Sequence, residues 1–197
     1  MNDEIIEIVD AYSYLGILFN FNGSFIKAKS KLVDQARKAL FAVYVRIKNQ
    51  SIPIDLQLKL FDSLVEPILL YGAEVWGFEN ILLLERLHLQ FCKKILQVRA
   101  STPNYMVCGE LGRLPLSIKV KMRMVSYWCR LIWNENKIST HLYKLMYYLH
   151  NNGICNFKWL SCVKGIFDET GLSYIFSSQF PIDFSYLKPV LKQQLSD

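Results

Sequence analysis

Val65-Glu66-Pro67-Ile68-Leu69-Leu70-Tyr71-Gly72-Ala73-Glu74-Val75-Trp76-Gly77 is the most apolar and aromatic stretch of the chain, yet it carries two carboxylates, Glu66 and Glu74. Pro67 removes a backbone donor and predicts a kink or a restart in a helix at that point. On an ideal helix Glu66 and Glu74 lie about 80° apart, and Tyr71 and Trp76 share a side with the aliphatic residues. Buried Tyr and Trp need partners for O–H and N–H, and a carboxylate on the next turn is a candidate. By periodicity alone the segment is a central helix with two solvated glutamates.

Working outward, Ser51-Ile52-Pro53 opens this helix, with proline suited to the first turn. It is expected to run through Leu56, Leu60 and Leu64 to the Pro67 kink and to end near Gly72 or Gly77. Upstream, residues 27–48 read as a helix with Leu32, Ala36, Ala39, Leu40, Val43 and Ile47 on one side. Lys27, Lys31 and Lys38 lie on nearly the opposite side, and Lys29 falls over the apolar face near the start, where it can escape to solvent. Phe41 and Val45 then appear on the outer side, so the second half is expected to be enclosed by neighbours. Residues 11–25 alternate aromatic and aliphatic groups and end at Asn22-Gly23, a strand followed by a hairpin-type turn. A lone hairpin is marginal in water, so this piece reads as the rim of a missing sheet.

Downstream, residues 80–98 form a helix capped by Asn80, with Leu84, Leu87, Phe91, Ile95 and Val98 inward. Ser101-Thr102-Pro103 opens a short helix that stops at Gly109 or Gly112, and Leu114-Pro115-Leu116 starts a long one to about Trp133. Residues 139–150, 156–170 and 183–195 are further helices, separated by Asn151-Asn152-Gly153, Gly171 and Pro181. With only 9 Gly and 6 Pro in 197 residues, and few hairpin signals, a β-sandwich or barrel is disfavoured. The expected class is mainly α, a helical bundle with a short N-terminal β-hairpin, and its expected parts are residues 1–25, 26–78 and 79–197.

No apolar run reaches the length of a spanning helix, because Glu66, Glu74 and Glu85 interrupt the richest region. The first ten residues hold Asp3, Glu4, Glu7 and Asp10 and no basic residue, which is not a secretory signal. Five cysteines without regular spacing suit free thiols in a reducing compartment, so an intracellular protein, nuclear or cytoplasmic, is expected. The net charge of +6 is unevenly placed. Residues 27–48 hold seven basic residues against Asp34 alone, and residues 93–130 hold eight against Glu110 alone. Such islands on an aromatic-rich chain suggest a polyanion partner, although an ordinary solvated surface carries the same signature.

Catalytic chemistry is hard to place. Two-metal phosphoryl transfer needs convergent carboxylates, and the adjacent acids are only Asp3-Glu4 and Asp168-Glu169, both near expected element ends. There is no Gly-rich phosphate loop, no G-x-S-x-G elbow and no His-Glu-x-x-His motif. His88 and Cys92 share a helical face but read as core residues rather than zinc ligands, and His150, Cys155 and Cys162 are too loosely spaced. No cofactor or metal is expected.

The ordered landmarks carry a resemblance. Tyr14-Leu15-Gly16-Ile17 with Asn22-Gly23-Ser24, then Ala36-Arg37-Lys38-Ala39-Leu40-Phe41, resemble the palm-ending hairpin and thumb start of non-LTR (LINE-type) retrotransposon reverse transcriptases. Pro67-Ile68-Leu69-Leu70-Tyr71-Gly72-Ala73-Glu74-Val75-Trp76 is similar to that family's P-x-L-x-Y-G-x-E-x-W string. Phe91-Cys92-Lys93-Lys94-Ile95-Leu96, Thr102-Pro103-Asn104, Gly109-Glu110-Leu111-Gly112-Arg113-Leu114-Pro115-Leu116 and Tyr127-Trp128 follow in the same order. The resemblance covers about residues 11–135. The family's fingers, its palm with a Tyr-x-Asp-Asp turn, and its endonuclease lie outside this sequence, so the resemblance implies a non-catalytic thumb and post-thumb module. It implies a primer–template duplex as partner, held through phosphates by Lys27, Lys31, Lys38, Lys93, Lys94, Arg113, Lys119 and Arg123, and a separate palm-bearing polypeptide as a second partner. Tyr71, Glu74 and Trp76 are expected to be structural, fixing the kinked helix. The competing expectation is a helical protein–protein module or inert remnant that self-associates through its hairpin.

Overall fold

A computed structural model describes residues 9–47, 51–133 and 137–196 of the chain. The acidic residues Asp3, Glu4 and Glu7, and Lys48 of the first basic island, lie outside the described residues. The protein is mainly helical with one short antiparallel hairpin, and it divides into two compact units, Met1–Tyr71 and Gly72–Asp197.

In the first unit β1 (Ala11–Tyr14) pairs with β2 (Ile17–Asn20), from Ala11 opposite Asn20 to Tyr14 opposite Ile17. The turn is Leu15-Gly16, with φ of 47° and 84°. Two-residue hairpin loops use doubly positive φ because its twist matches that of the strands. The expected turn, Asn22-Gly23, instead leads the chain into α1 (Ile26–Ile47). There Asn20 Nδ2 donates to Ser24 O at 2.8 Å, and Asn22 Oδ1 accepts from Ser24 N at 3.0 Å. Leu15 is a poor residue for the left-handed region, and a distant side chain secures it. The Tyr71 hydroxyl donates to Leu15 O at 2.6 Å, and a Cβ on Gly16 would sit 3.5 Å from Tyr71 Cε1. Tyr71 is 46% exposed, not the buried phenol that helical periodicity suggests, and its hydroxyl bonds a backbone carbonyl.

α1 buries Ala28, Lys29, Leu32, Val33, Ala36, Leu40 and Val43 along one arc. That arc packs on the lower part of a broken helix, a π-helical turn at Phe61–Val65 and α3 (Glu66–Leu69), which α2 (Ile54–Leu60) precedes. The kink expected at Pro67 takes the form of this π turn. The Glu66 N–H reaches back to Phe61 O, and the wider turn makes room for a ring that would otherwise meet the carbonyl one turn earlier. Phe61, Val65, Leu69 and Leu70 are all fully buried. The second half of α1 is not enclosed: Phe41 and Val45 are 68% and 58% exposed, because the helix packs by one arc only. Lys29 does not escape to solvent at the start of the helix; it stays buried within that arc.

In the second unit α4 (Ala73–Trp76) begins after Gly72, whose φ of 68° ends any continuous helix through the opening stretch. α5 (Leu82–Ile95), α6 (Asn104–Glu110), α7 (Leu116–Trp133), α8 (Ile138–Asn151), α9 (Lys158–Glu169), α10 (Ser173–Ser178) and α11 (Phe184–Gln194) follow. α7 is the central element: α4, α5, α8, α9 and α11 all pack on it. Trp76 is fully buried in α4, and Gly77 lets α4 lie close to α7, since a Cβ there would come within 2.5 Å of Val120 Cγ1 and of Ala73 O. Trp128 of α7 donates through Nε1 to the Tyr143 hydroxyl at 2.8 Å, and that hydroxyl donates to Gln179 Oε1 at 2.7 Å. The Trp128 ring meets Phe167 at 4.8 Å and Phe176 at 5.7 Å between centroids. Ile81 occupies the cap position of α5, and Asn80 just before it satisfies the first helical N–H, its Oδ1 accepting from Leu82 N at 2.8 Å. Val98 is 38% exposed rather than inward, because α5 ends at Ile95 and Gln97 turns the chain with φ +54°. α10 has no counterpart among the helices expected from sequence. Among the described residues no helix is long and apolar enough to cross a membrane.

Candidate functional site

The first basic island is a solvent face. Lys27, Lys31 and Lys38 are all exposed on α1, and they fall within about 40° of one another on an ideal helix, away from the buried arc. Asp34 lies on the same stripe, with its carboxylate 3.1 Å from Arg37 Nη1 in an exposed pair. Beyond Lys38 the stripe becomes apolar, through Phe41 and Val45, while remaining in water.

The second island is partly used inside its own unit. Lys93, on the last turn of α5, donates from Nζ to Ala100 O at 2.7 Å and ties down the loop before α6. Lys94 is exposed. Lys119 and Arg123, one turn apart on α7, are both half-buried. Lys121 between them holds Glu169 of α9 at 2.6 Å, and Arg130 lies 5.5 Å over the Tyr127 ring.

Arg113 belongs to a buried constellation. Its Nε donates to His88 Nε2 at 3.0 Å. Arginine can only donate, so Nε2 is the acceptor and the imidazole proton sits on Nδ1. Nδ1 then donates to Glu85 Oε1 at 3.2 Å, and Glu85 Oε2 accepts from Leu116 N at 2.8 Å. A carboxylate on α5 thus caps α7 and is held through a fully buried neutral histidine. The Glu85-x-x-His88 spacing is a signal the sequence offered, but nothing in it points to Arg113. Glu74 contributes through its backbone: its carbonyl accepts from Trp159 Nε1 at 2.7 Å.

Beside this constellation a cleft of about 550 Å³ lies among α5, α6 and the start of α7. Leu89, Tyr105 and Pro115 give it apolar walls, and Asn104, Arg113 and Ser117 add polar groups. Burial holds the Cys108 and Cys129 thiols in their neutral form. Cys108 beside the cleft is raised, by burial first and then by Glu85, with Arg113 opposing. Burial pushes Cys129 up to about 12, and a thiol held neutral is a poor nucleophile. Among the described residues no group of three His, Cys, Asp or Glu is placed to hold a metal ion. Compared with family models, curated proteins and solved structures, the chain has no match.

Proposed function

We propose that the chain is a non-catalytic helical module that holds a nucleic-acid duplex through backbone phosphates, in keeping with its resemblance to the thumb and post-thumb part of a LINE-type reverse transcriptase. The observation that supports this reading is the α1 stripe: Lys27, Lys31 and Lys38 share one exposed side of a helix whose other side is core. Phosphate contacts need cations with room to approach, whatever the base sequence. Lys94 in the second unit is equally exposed, whereas Lys93 and Arg113 already direct donors to Ala100 and His88.

Binding of an RNA–DNA duplex measured across salt concentrations tests this. Each of Lys27→Ala, Lys31→Ala and Lys38→Ala reduces the slope of log affinity against log salt by about 0.7–0.9, equally for unrelated sequences. Lys29→Ala leaves the slope unchanged, because that residue is buried. An unaltered slope in the triple variant removes the reading.

A second reading, a self-associating protein–protein module, is favoured by the hairpin. Tyr12, Tyr14, Leu15 and Phe21 are each more than half exposed on or beside a hairpin without a charged residue. Concentration-dependent sedimentation, without duplex binding, would select it.

A further inference from the structure

We propose that the cleft among α5, α6 and the start of α7 takes one unstacked base of a nucleic-acid strand in its apolar slot; this deepens the nucleic-acid reading and rests on it for the strand that supplies the base. The volume, about 550 Å³, lies within the range of small-ligand sites. Tyr105 lines the cleft yet is 75% exposed, so its ring offers a bare face beside the Leu89 and Pro115 walls. Aromatic faces of this kind hold splayed bases with little regard to sequence.

Two polar groups meet the edge of such a base. The Asn104 amide and the Ser117 hydroxyl both line the slot, and neither side chain has a partner among the described residues. Together they supply donors and an acceptor for a base edge. Glu85, the carboxylate in the lining, has both oxygens engaged, by His88 Nδ1 and Leu116 N.

The test uses the full chain with three probes: adenosine 5′-monophosphate, a blunt RNA–DNA duplex, and the same duplex with a short single-stranded overhang. The overhang is expected to tighten binding about tenfold, the scale of one stacked base. Tyr105→Ala removes that gain, Tyr105→Phe keeps it, and Tyr174→Ala, at a 68% exposed tyrosine on α10, changes nothing. If the overhang adds nothing but the monophosphate binds with the same dependence on Tyr105, the occupant is a free nucleotide. If neither probe shows binding that depends on Tyr105, the proposal is overturned. The blunt duplex and its salt slope are read separately, so a failed cleft is distinguishable from a failed α1 stripe.

Discussion

Lys27, Lys31 and Lys38 stand in water on α1, while Lys93, Arg113 and Lys121, in the second unit, direct their donors to Ala100, His88 and Glu169. The two islands are nearly equal in charge along the chain, at seven and eight basic residues. The difference lies in what each helix packs against. α1 buries one arc and leaves the other side open, whereas Lys93 ends α5 beside the loop carrying Ala100, Arg113 leads into α7 against His88, and Lys121 on α7 faces Glu169 of α9. A window of charge therefore becomes an open face or an internal brace according to the acceptors that surround it.

The contrast can be broken by mutation, starting where packing is densest. Trp128→Ala in α7 should cost about 3–5 kcal/mol, since it empties a fully enclosed aromatic site and removes the donor to the Tyr143 hydroxyl. Trp76→Ala should fall in the same range; denaturant unfolding reads both, and an unchanged midpoint for either would show that α7 is not the densest part. Alkaline titration comes next. Burial raises the Tyr143 phenol from 10.0 to about 12, so its contribution is intact below pH 10 and lost as pH climbs through 12. The loss reaches about 3 kcal/mol once the folded-state phenol has ionised as well. Tyr143→Phe should flatten that part of the stability–pH curve, and a curve identical to the parent's would refute it.

Arg113→Ala should cost about 1–3 kcal/mol, because His88 Nε2 is left buried without its donor. Its effect on the salt slope of duplex binding should be smaller than that of Lys31→Ala. The smallest expected change is the stability of Lys31→Ala, within about 0.5 kcal/mol of the parent. Should Lys31→Ala destabilise as much as Arg113→Ala, the distinction between face and brace disappears.

Much of this architecture could be read along the chain where the cause is local. Pro53 and Pro103 mark helix starts, Asn80 satisfies the first N–H of α5, and the spacing of Leu32, Ala36, Leu40 and Val43 marks the buried arc of α1. Tyr71 was misjudged because its partner is Leu15, in a hairpin far upstream, and no periodicity carries that information. The hairpin turn was misplaced because Asn22-Gly23 suits positive φ better than Leu15-Gly16, and only the Tyr71 clasp reverses the preference. Phe41 and Val45 were expected to be covered because apolar groups usually are. The Glu85–His88–Arg113 set joins a helix to a loop well beyond it, a link that counting charges along the chain does not reveal.

The π turn at Phe61–Val65 sets the phase of everything in its helix. Phe61, Val65 and Leu69 recur every four residues and are all fully buried. On a regular α-helix each such step would drift by about 40°, and the row would spiral off its neighbour. The wide turn takes up part of that drift, so one surplus residue keeps the three side chains in line against α1. Losing any single residue from this turn would shift the register of Leu69 and Leu70 and bring the Pro67 ring against the backbone behind it. The segment is thus intolerant of length change, though the exposed Leu64 within it remains open to substitution.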